Sequence, residues 1–271
     1  MLGKLLKYEL KATARWFFPL YIALIALTLL NKLTMIIELP DLLVFNLFKG
    51  LLVFVYVLVI IFTTVATMIL LVVRFYKNLH TDEGYLTHTL PVKPSTQLNC
   101  KILSGCIWTV SSFFMQIISL FILFAGTGLF TEVADVFAEI GEFFKEAGLM
   151  DNLIVTLIIF AITMLISLLY SLLMMYCSIS LGSLFNKHKI IGAIFVYFVI
   201  SFVIQLFSMV LMVVGINSPV SYEIVEVGDF SVEIFNFLNL MMILSSGLTL
   251  VCNVIFYFLN HYVISKKLNL E

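Results

Sequence analysis

Short polar segments divide the sequence into six long apolar runs, at residues 16–37, 47–73, 101–130, 153–185, 190–216 and 237–264. At about 1.5 Å per residue, each run is long enough to cross a hydrocarbon core of roughly 30 Å as a helix. The chain is 62% hydrophobic and 11% charged, whereas a soluble domain has about 45–50% apolar and about 25% charged residues. The sequence therefore predicts an all-α integral membrane protein with six transmembrane helices.

The distribution of charge predicts the orientation of these spans. Segments 1–15, 74–101, 186–189 and 265–271 hold 12 of the 15 Lys and Arg residues, and the alternate loops hold 12 of the 16 Asp and Glu residues. Because positive loops stay in the cytosol, both termini and the 74–101 loop are expected to be cytoplasmic. The near-neutral total charge and this layout argue against a nucleic-acid partner.

Residues 1–15 are basic and precede the first apolar run, as in a signal peptide, but no small-residue cleavage site follows. Leucines lie on one side of the predicted helix and lysines on the other. This pattern predicts an uncleaved cytoplasmic amphipathic helix at 1–15, on the membrane surface. The six-span domain then covers 16–264, and 265–271 is a cytoplasmic tail. Lys32, near the end of the first run, is expected to snorkel to the interface.

The two longest outer loops have their own patterns. Residues 131–152 repeat apolar residues with a helical period against acids, which predicts an amphipathic helix on the outer surface. Residues 218–235 alternate polar and apolar residues around Gly228 and Asp229, which favours a β-hairpin.

The middle parts of the runs contain no Asp, Glu, Lys, Arg or His; such residues occur only near the ends, as with Lys32. Ion-coupled transporters need ionisable groups near the bilayer midplane, so this chain is not expected to power transport by itself. Uncharged polar residues are present instead. Gln116, Gln205 and Asn253 are candidates to line a substrate path, and the alternative is that they hydrogen-bond between helices.

Neither enzyme motifs nor metal-ligand spacings occur in the sequence. The nucleophile-elbow, zinc-protease and phosphate-loop patterns are missing, and the four histidines lie in separate segments. We therefore expect no catalytic residues, no metal site and no cofactor in this chain.

The polar segment between the second and third runs, residues 74–96, predicts a short helix outside the membrane. Thr81 is suited to cap its start, and Asp82 and Glu83 place negative charge near unpaired backbone amides. Pro91 is expected to end the helix near Leu90. Its apolar face consists of Tyr85, Leu86, Thr89 and Leu90. An apolar face outside the membrane indicates a binding partner.

Three strings in this segment, FYKNL at 75–79, DEGYL at 82–86 and TLPV at 89–92, resemble the first cytoplasmic loop of bacterial ABC-2-type transporter permeases of the Firmicutes kind. The basic string LGKLLKYELKATAR at 2–15 is similar to the opening helix of that family, and the six-run layout agrees over the whole chain. The resemblance implies an ABC-2 permease fold of the type V exporter kind in the bacterial cytoplasmic membrane.

The same resemblance implies that the loop carries a coupling helix, which docks into a separate ATPase subunit. The coupling residues would be Asp82, Glu83, Gly84, Tyr85, Leu86, Thr89, Leu90 and Pro91. Tyr85, Leu86 and Leu90 would be the apolar anchors. The ATPase would bind ATP and Mg²⁺, and two permease chains would pair as a homo- or heterodimer. The alternative for the helix itself is that it lies on the bilayer or packs on the chain's own helix ends.

These expectations favour the permease subunit of an ATP-binding cassette transporter, exporting a peptide, a lipid or a drug-like molecule. The alternative is a membrane scaffold or sensor that does not transport and that recruits a cytosolic partner through the same helix. An intramembrane enzyme is disfavoured by the missing motifs.

Overall fold

The computed structural model describes residues 2–36, 43–81, 84, 92–185, 188–218 and 232–266. Within these residues the elements are α1 (Leu2–Ile36), α2 (Leu43–His80), α3 (Pro94–Phe124), α4 (Leu129–Glu146), α5 (Met150–Gly182), α6 (Lys189–Ile216) and α7 (Val232–Lys266). All of them except α4 are long and apolar enough to cross a membrane. For the described residues, the prediction of an all-helical chain with six helices long and apolar enough to span a membrane is confirmed.

The third span is shorter than predicted. It was expected to reach residue 130, but α3 ends at Phe124 and α4 begins at Leu129. Gly126 and Gly128 lie between the two helices, each with φ of 78°. Glycine adopts this left-handed conformation without a steric penalty, so the two residues can turn the chain. The predicted run of 101–130 extended past this turn because α4 also begins with apolar residues, Leu129 and Phe130.

Residues 2–15, predicted as an amphipathic helix, form the first turns of α1. The helix continues into the first span without a break and contains Pro19. Proline lacks a backbone N–H, so it cannot donate the usual bond to the carbonyl one turn earlier. Residues 267–271, predicted as a cytoplasmic tail, lie outside the described residues.

The chain divides into two compact units. Met1–Phe75 with Asn99–Val136 forms unit 1, and Tyr76–Leu98 with Phe137–Glu271 forms unit 2. The two cuts in the first half of the chain fall inside α2 and α3. The end of α2, from Tyr76 onward, and the start of α3, up to Leu98, therefore group with unit 2, and the rest of both helices groups with unit 1.

In unit 1, α1 and α3 run parallel and are joined by hydrogen bonds at a constant spacing. The Tyr21 hydroxyl lies 2.7 Å from the Ser112 hydroxyl, and the Thr28 hydroxyl lies 2.7 Å from the Ser119 hydroxyl. Both pairs are 91 residues apart in sequence. Two pairs that advance together along both helices require the helices to point the same way.

Helix α2 runs antiparallel to both. The Tyr56 hydroxyl bonds Ser119 at 2.7 Å, and the Thr67 hydroxyl bonds Ser112 at 2.8 Å. As residue numbers rise along α2, its partners on α3 therefore fall. Within unit 1, the start of α1, the part of α2 just before Tyr76 and the part of α3 just after Leu98 consequently lie at one end.

Unit 1 also contains an aromatic contact between its parallel helices. Phe17 stacks on Trp108 with ring centroids 4.2 Å apart and an interplanar angle of 6°. The indole Nε1 of Trp108 donates to the Thr13 hydroxyl at 2.7 Å. The polar atom of this large side chain is therefore satisfied where it is buried.

Unit 2 repeats the parallel arrangement with α5 and α7. The Asn253 amide donates to the carbonyl of Ile166 at 3.2 Å, and the Asn260 amide donates to the carbonyl of Leu173 at 3.4 Å. Both pairs are 87 residues apart. Asn260, which is fully buried, also accepts a bond from the Ser180 hydroxyl at 2.7 Å.

Helices α5 and α6 meet closely at a pair of small residues. A Cβ placed on Gly182 would overlap the backbone of Ala193. A Cβ on Gly192 would lie 2.6 Å from the Phe185 ring. Small residues at helix contacts let two backbones approach each other in membrane proteins.

The predicted helix within 131–152 is present as α4, Leu129–Glu146, which begins two residues before the predicted segment and ends six residues before its end. None of its residues is buried, and Phe144 contacts Phe235 with ring centroids 5.7 Å apart. Its position on a membrane surface stays a prediction. The turn of the predicted β-hairpin, at Gly228 and Asp229, lies outside the described residues, but the last part of the predicted segment, 232–235, is helical because it forms the start of α7.

Candidate functional site

The predicted coupling segment lies almost entirely outside the described residues. Gly84 is described, and its N–H donates to the Thr81 carbonyl at 2.7 Å. The Thr81 hydroxyl donates backward to the Lys77 carbonyl at 2.6 Å, so its proton is used by the preceding helix. Asp82, Glu83, Tyr85, Leu86, Thr89, Leu90 and Pro91 are outside the described part of the chain. The coupling helix therefore stays a prediction.

A cluster of three charged residues connects the two sides of this segment. The Glu9 carboxylate on α1 lies 2.6 Å from the Lys101 Nζ on α3 and 3.1 Å from the Arg74 Nε on α2. The side chains of Glu9 and Lys101 are only 11% and 8% exposed, and that of Arg74 is 29% exposed. We call these residues the Glu9 cluster. All three belong to unit 1.

The cluster marks the base of the loop. Arg74 directly precedes residues 75–100 and Lys101 directly follows them. Charge-assisted hydrogen bonds are about twice as strong as neutral ones, and a surrounding of low dielectric strengthens them further. Both sides of the loop are therefore fixed to the same carboxylate on α1.

The sequence pattern did not predict this cluster, since Arg74 and Lys101 contributed only to the expected orientation of the spans. One signal was available: Glu9 is the single acid among the four cations of residues 1–15. An isolated acid in a basic segment suggests a specific ion pair. The sequence alone does not show which of the many cations is its partner.

Further hydrogen bonds extend from the cluster along unit 1, both within α1 and between α1 and α3. The Thr13 hydroxyl donates to the Glu9 carbonyl at 2.8 Å and accepts from Trp108. At the opposite end of unit 1, Lys32 donates to the carbonyls of Leu123, at 3.1 Å, and Ala125. A cation there also interacts favourably with the negative end of the α3 dipole. Lys32, expected to reach the interface, thus binds the end of α3.

Two of the three predicted path residues form hydrogen bonds between helices. The Gln116 amide donates to the Thr64 hydroxyl at 2.8 Å and to the Ile60 carbonyl at 3.4 Å, both on α2. Asn253 donates to Ile166, as described above, and its carbonyl oxygen is buried with no partner among the described residues. For Gln116 and for the Asn253 amide group, these contacts agree with the alternative expectation that the residues hydrogen-bond between helices.

Gln205, the third path residue, lines a cavity of about 340 Å³ in unit 2. Helices α5, α6 and α7 all contribute to its walls. The polar residues of the lining are Tyr170, Gln205, Ser208, Ser245 and Thr249. Asn253 directly follows Cys252, another lining residue, but is not itself part of the lining. Gln116 belongs to unit 1.

Comparisons of the chain with models of protein families, with curated proteins and with solved structures gave no match. The resemblance at residues 75–92 therefore stays a prediction. The function is inferred from the sequence pattern and from the geometry of the chain itself.

Proposed function

We propose that the chain is the permease subunit of an ATP-binding cassette transporter in the bacterial cytoplasmic membrane, with both termini in the cytosol. A separate ATPase subunit binds ATP and Mg²⁺ and docks on residues 82–91, and a second permease chain completes the pathway. The transported molecule is a peptide, a lipid or a drug-like compound, and the direction is export. Six long apolar helices and the family-like strings at 75–92 support this proposal.

The observation that carries the proposal furthest is the position of the Glu9 cluster. A coupling loop transmits force only if its base is firmly connected to the helices that must move. Arg74 and Lys101, on the two sides of the loop, share the Glu9 carboxylate, so a displacement of the loop base acts on α1, α2 and α3 together. This connection suits a loop that receives a mechanical input.

The interhelical hydrogen bonds of unit 1 would transmit the displacement of the loop base to all three helices. They join α1, α2 and α3 at several levels, through Trp108, Ser112 and Ser119 on α3. Closure of two ATPases on ATP pushes the coupling helices, and unit 1 responds as one bundle. A path between the permease chains then opens outward.

Purification of the intact protein in mild detergent, with mass spectrometry of the proteins bound to it, tests the proposal. The expected result is a stoichiometric ATP-binding cassette subunit, together with ATP hydrolysis that requires Mg²⁺. If the chain purifies alone, the proposal is wrong. A stoichiometric partner without a nucleotide-binding domain would favour the alternative of a membrane scaffold or sensor.

A further inference from the structure

The cavity in unit 2 combines polar groups that have no partner with an apolar wall. Gln205 and Ser208, which are both exposed at the cavity mouth, lie on α6, and the half-buried Tyr170 side chain lines the cavity from α5. Within the described residues, no group hydrogen-bonds to the Gln205 amide or to the hydroxyls of Ser208 and Tyr170. In hydrocarbon such groups are costly, because no water replaces the missing bonds.

Ser208 differs from most hydroxyls of the spans. A serine in a membrane helix usually donates to the carbonyl one turn earlier, as Ser201 of the same helix does to Tyr197 at 2.8 Å. On the facing helix, the Thr249 hydroxyl donates to the Ser245 carbonyl at 2.6 Å, and the Ser245 hydroxyl donates to the Met242 carbonyl at 2.9 Å. Their oxygen lone pairs remain able to accept. The cavity thus offers both donors and acceptors.

The remaining lining is apolar and without formal charge. Ile204 and Leu211 on α6 face the same space as Leu244 and Leu248 on α7. Among the described residues, no Asp, Glu, Lys, Arg or His lines the cavity, so no described side chain there would neutralise an ionic ligand. A volume of about 340 Å³ falls within the roughly 300–1,000 Å³ typical of small-molecule sites.

We infer that this cavity binds an uncharged amphipathic molecule whose hydroxyl or amide groups pair with Gln205, Ser208 and Tyr170. An acylglycerol has this chemistry, since its glycerol hydroxyls both donate and accept and its acyl chain is apolar. The apolar residues of α6 and α7 contact the chain of the ligand. This binding is independent of the proposed transport function, and its test needs no ATPase.

The test uses the purified chain in nanodiscs and a monoacylglycerol with a diazirine in its acyl chain. A fatty acid with the same diazirine chain is the charged control probe. We expect light-induced labelling of peptides within 204–212 and 241–252 by the neutral probe, at least five-fold above labelling by the fatty acid. Excess unlabelled monoacylglycerol should suppress it. Equal labelling by both probes, or labelling spread over the lipid-facing residues of all helices, would overturn the inference.

Gln205→Leu and Ser208→Ala separate binding from folding. Because each removes a polar group without a protein partner, the thermal midpoint of the ligand-free chain should stay constant or rise. Labelling of the cavity peptides should fall several-fold. Ser201→Ala, one turn before Gln205 and two turns before Ser208 on the same helix but outside the lining, should leave labelling unchanged. Labelling that persists in both cavity variants contradicts the assignment.

Discussion

Lys101 Nζ lies 2.6 Å from the Glu9 carboxylate, with both side chains almost fully buried. A buried ion pair gains little over an apolar pair, but removal of one partner leaves the other charge without compensation. A single substitution in this pair should therefore lower the free energy of unfolding more than a double substitution that removes both charges.

Glu9→Gln should lower the free energy of unfolding by about 3 kcal/mol, because Lys101 remains buried without its carboxylate. Arg74→Gln should cost clearly less, since the Arg74 side chain is 29% exposed. The double variant Glu9→Gln with Lys101→Met should recover part of the loss. Titration of purified protein from mild detergent into sodium dodecyl sulfate measures all three. Equal losses for Glu9→Gln and Arg74→Gln would contradict the burial of the pair.

Ser112 on α3 connects three helices, since its hydroxyl bonds Tyr21 on α1 and Thr67 on α2. Ser112→Ala should destabilise unit 1 by about 1 kcal/mol, as expected for hydrogen bonds between membrane helices. Ser111→Ala is the matched control, because no group among the described residues bonds the Ser111 hydroxyl. The same detergent titration compares them. An equal loss of stability in Ser111→Ala would mean that the hydrogen bonds of Ser112 do not account for the effect of Ser112→Ala.

Alanine substitutions at Gly182 and Gly247 should change the stability of the protein in opposite directions. Gly182→Ala places a Cβ onto the backbone of Ala193, which cannot yield as a flexible side chain would. Overpacking of this kind typically costs about 1–3 kcal/mol. Gly247→Ala, with open space around the added Cβ, should instead stabilise α7 by up to about 1 kcal/mol through helix propensity. Thermal aggregation midpoints of the two variants should therefore shift in opposite directions, and a neutral Gly182→Ala would refute the close approach of α5 and α6.

The sequence predicted the membrane helices well because length and hydropathy alone determine them. Six apolar runs became six helices, and the misplaced end of the third shows the limit of that signal. At Gly126 and Gly128 the chain turns through a left-handed backbone conformation. The hydropathy of the apolar residues on either side does not predict that turn. Likewise, nothing in the hydropathy of residues 2–15 distinguishes a separate surface helix from the first turns of α1.

The interactions within each unit were less predictable, because they depend on which helix faces which. Gln116 and Gln205 have the same chemistry in sequence, yet one bonds Thr64 and the other lines a cavity. Glu9 likewise contacts Arg74 and Lys101 only because α2 packs antiparallel to α1 and α3 packs parallel to it. Contacts such as Gln116–Thr64 and Glu9–Arg74, which are 52 and 65 positions apart in sequence, depend on the register of the folded bundle.

The most direct measurement of the central claim is the amount of ATP-binding cassette subunit that co-purifies with coupling-segment variants. Tyr85→Asp with Leu86→Asp places charges on the predicted apolar face, and Thr87→Asp with His88→Asp places the same charges off that face. We expect the first variant to lose the ATPase, the control to retain it, and both to elute from size exclusion like the unaltered chain. Full retention of the ATPase by the Tyr85 and Leu86 variant would contradict docking through residues 82–91.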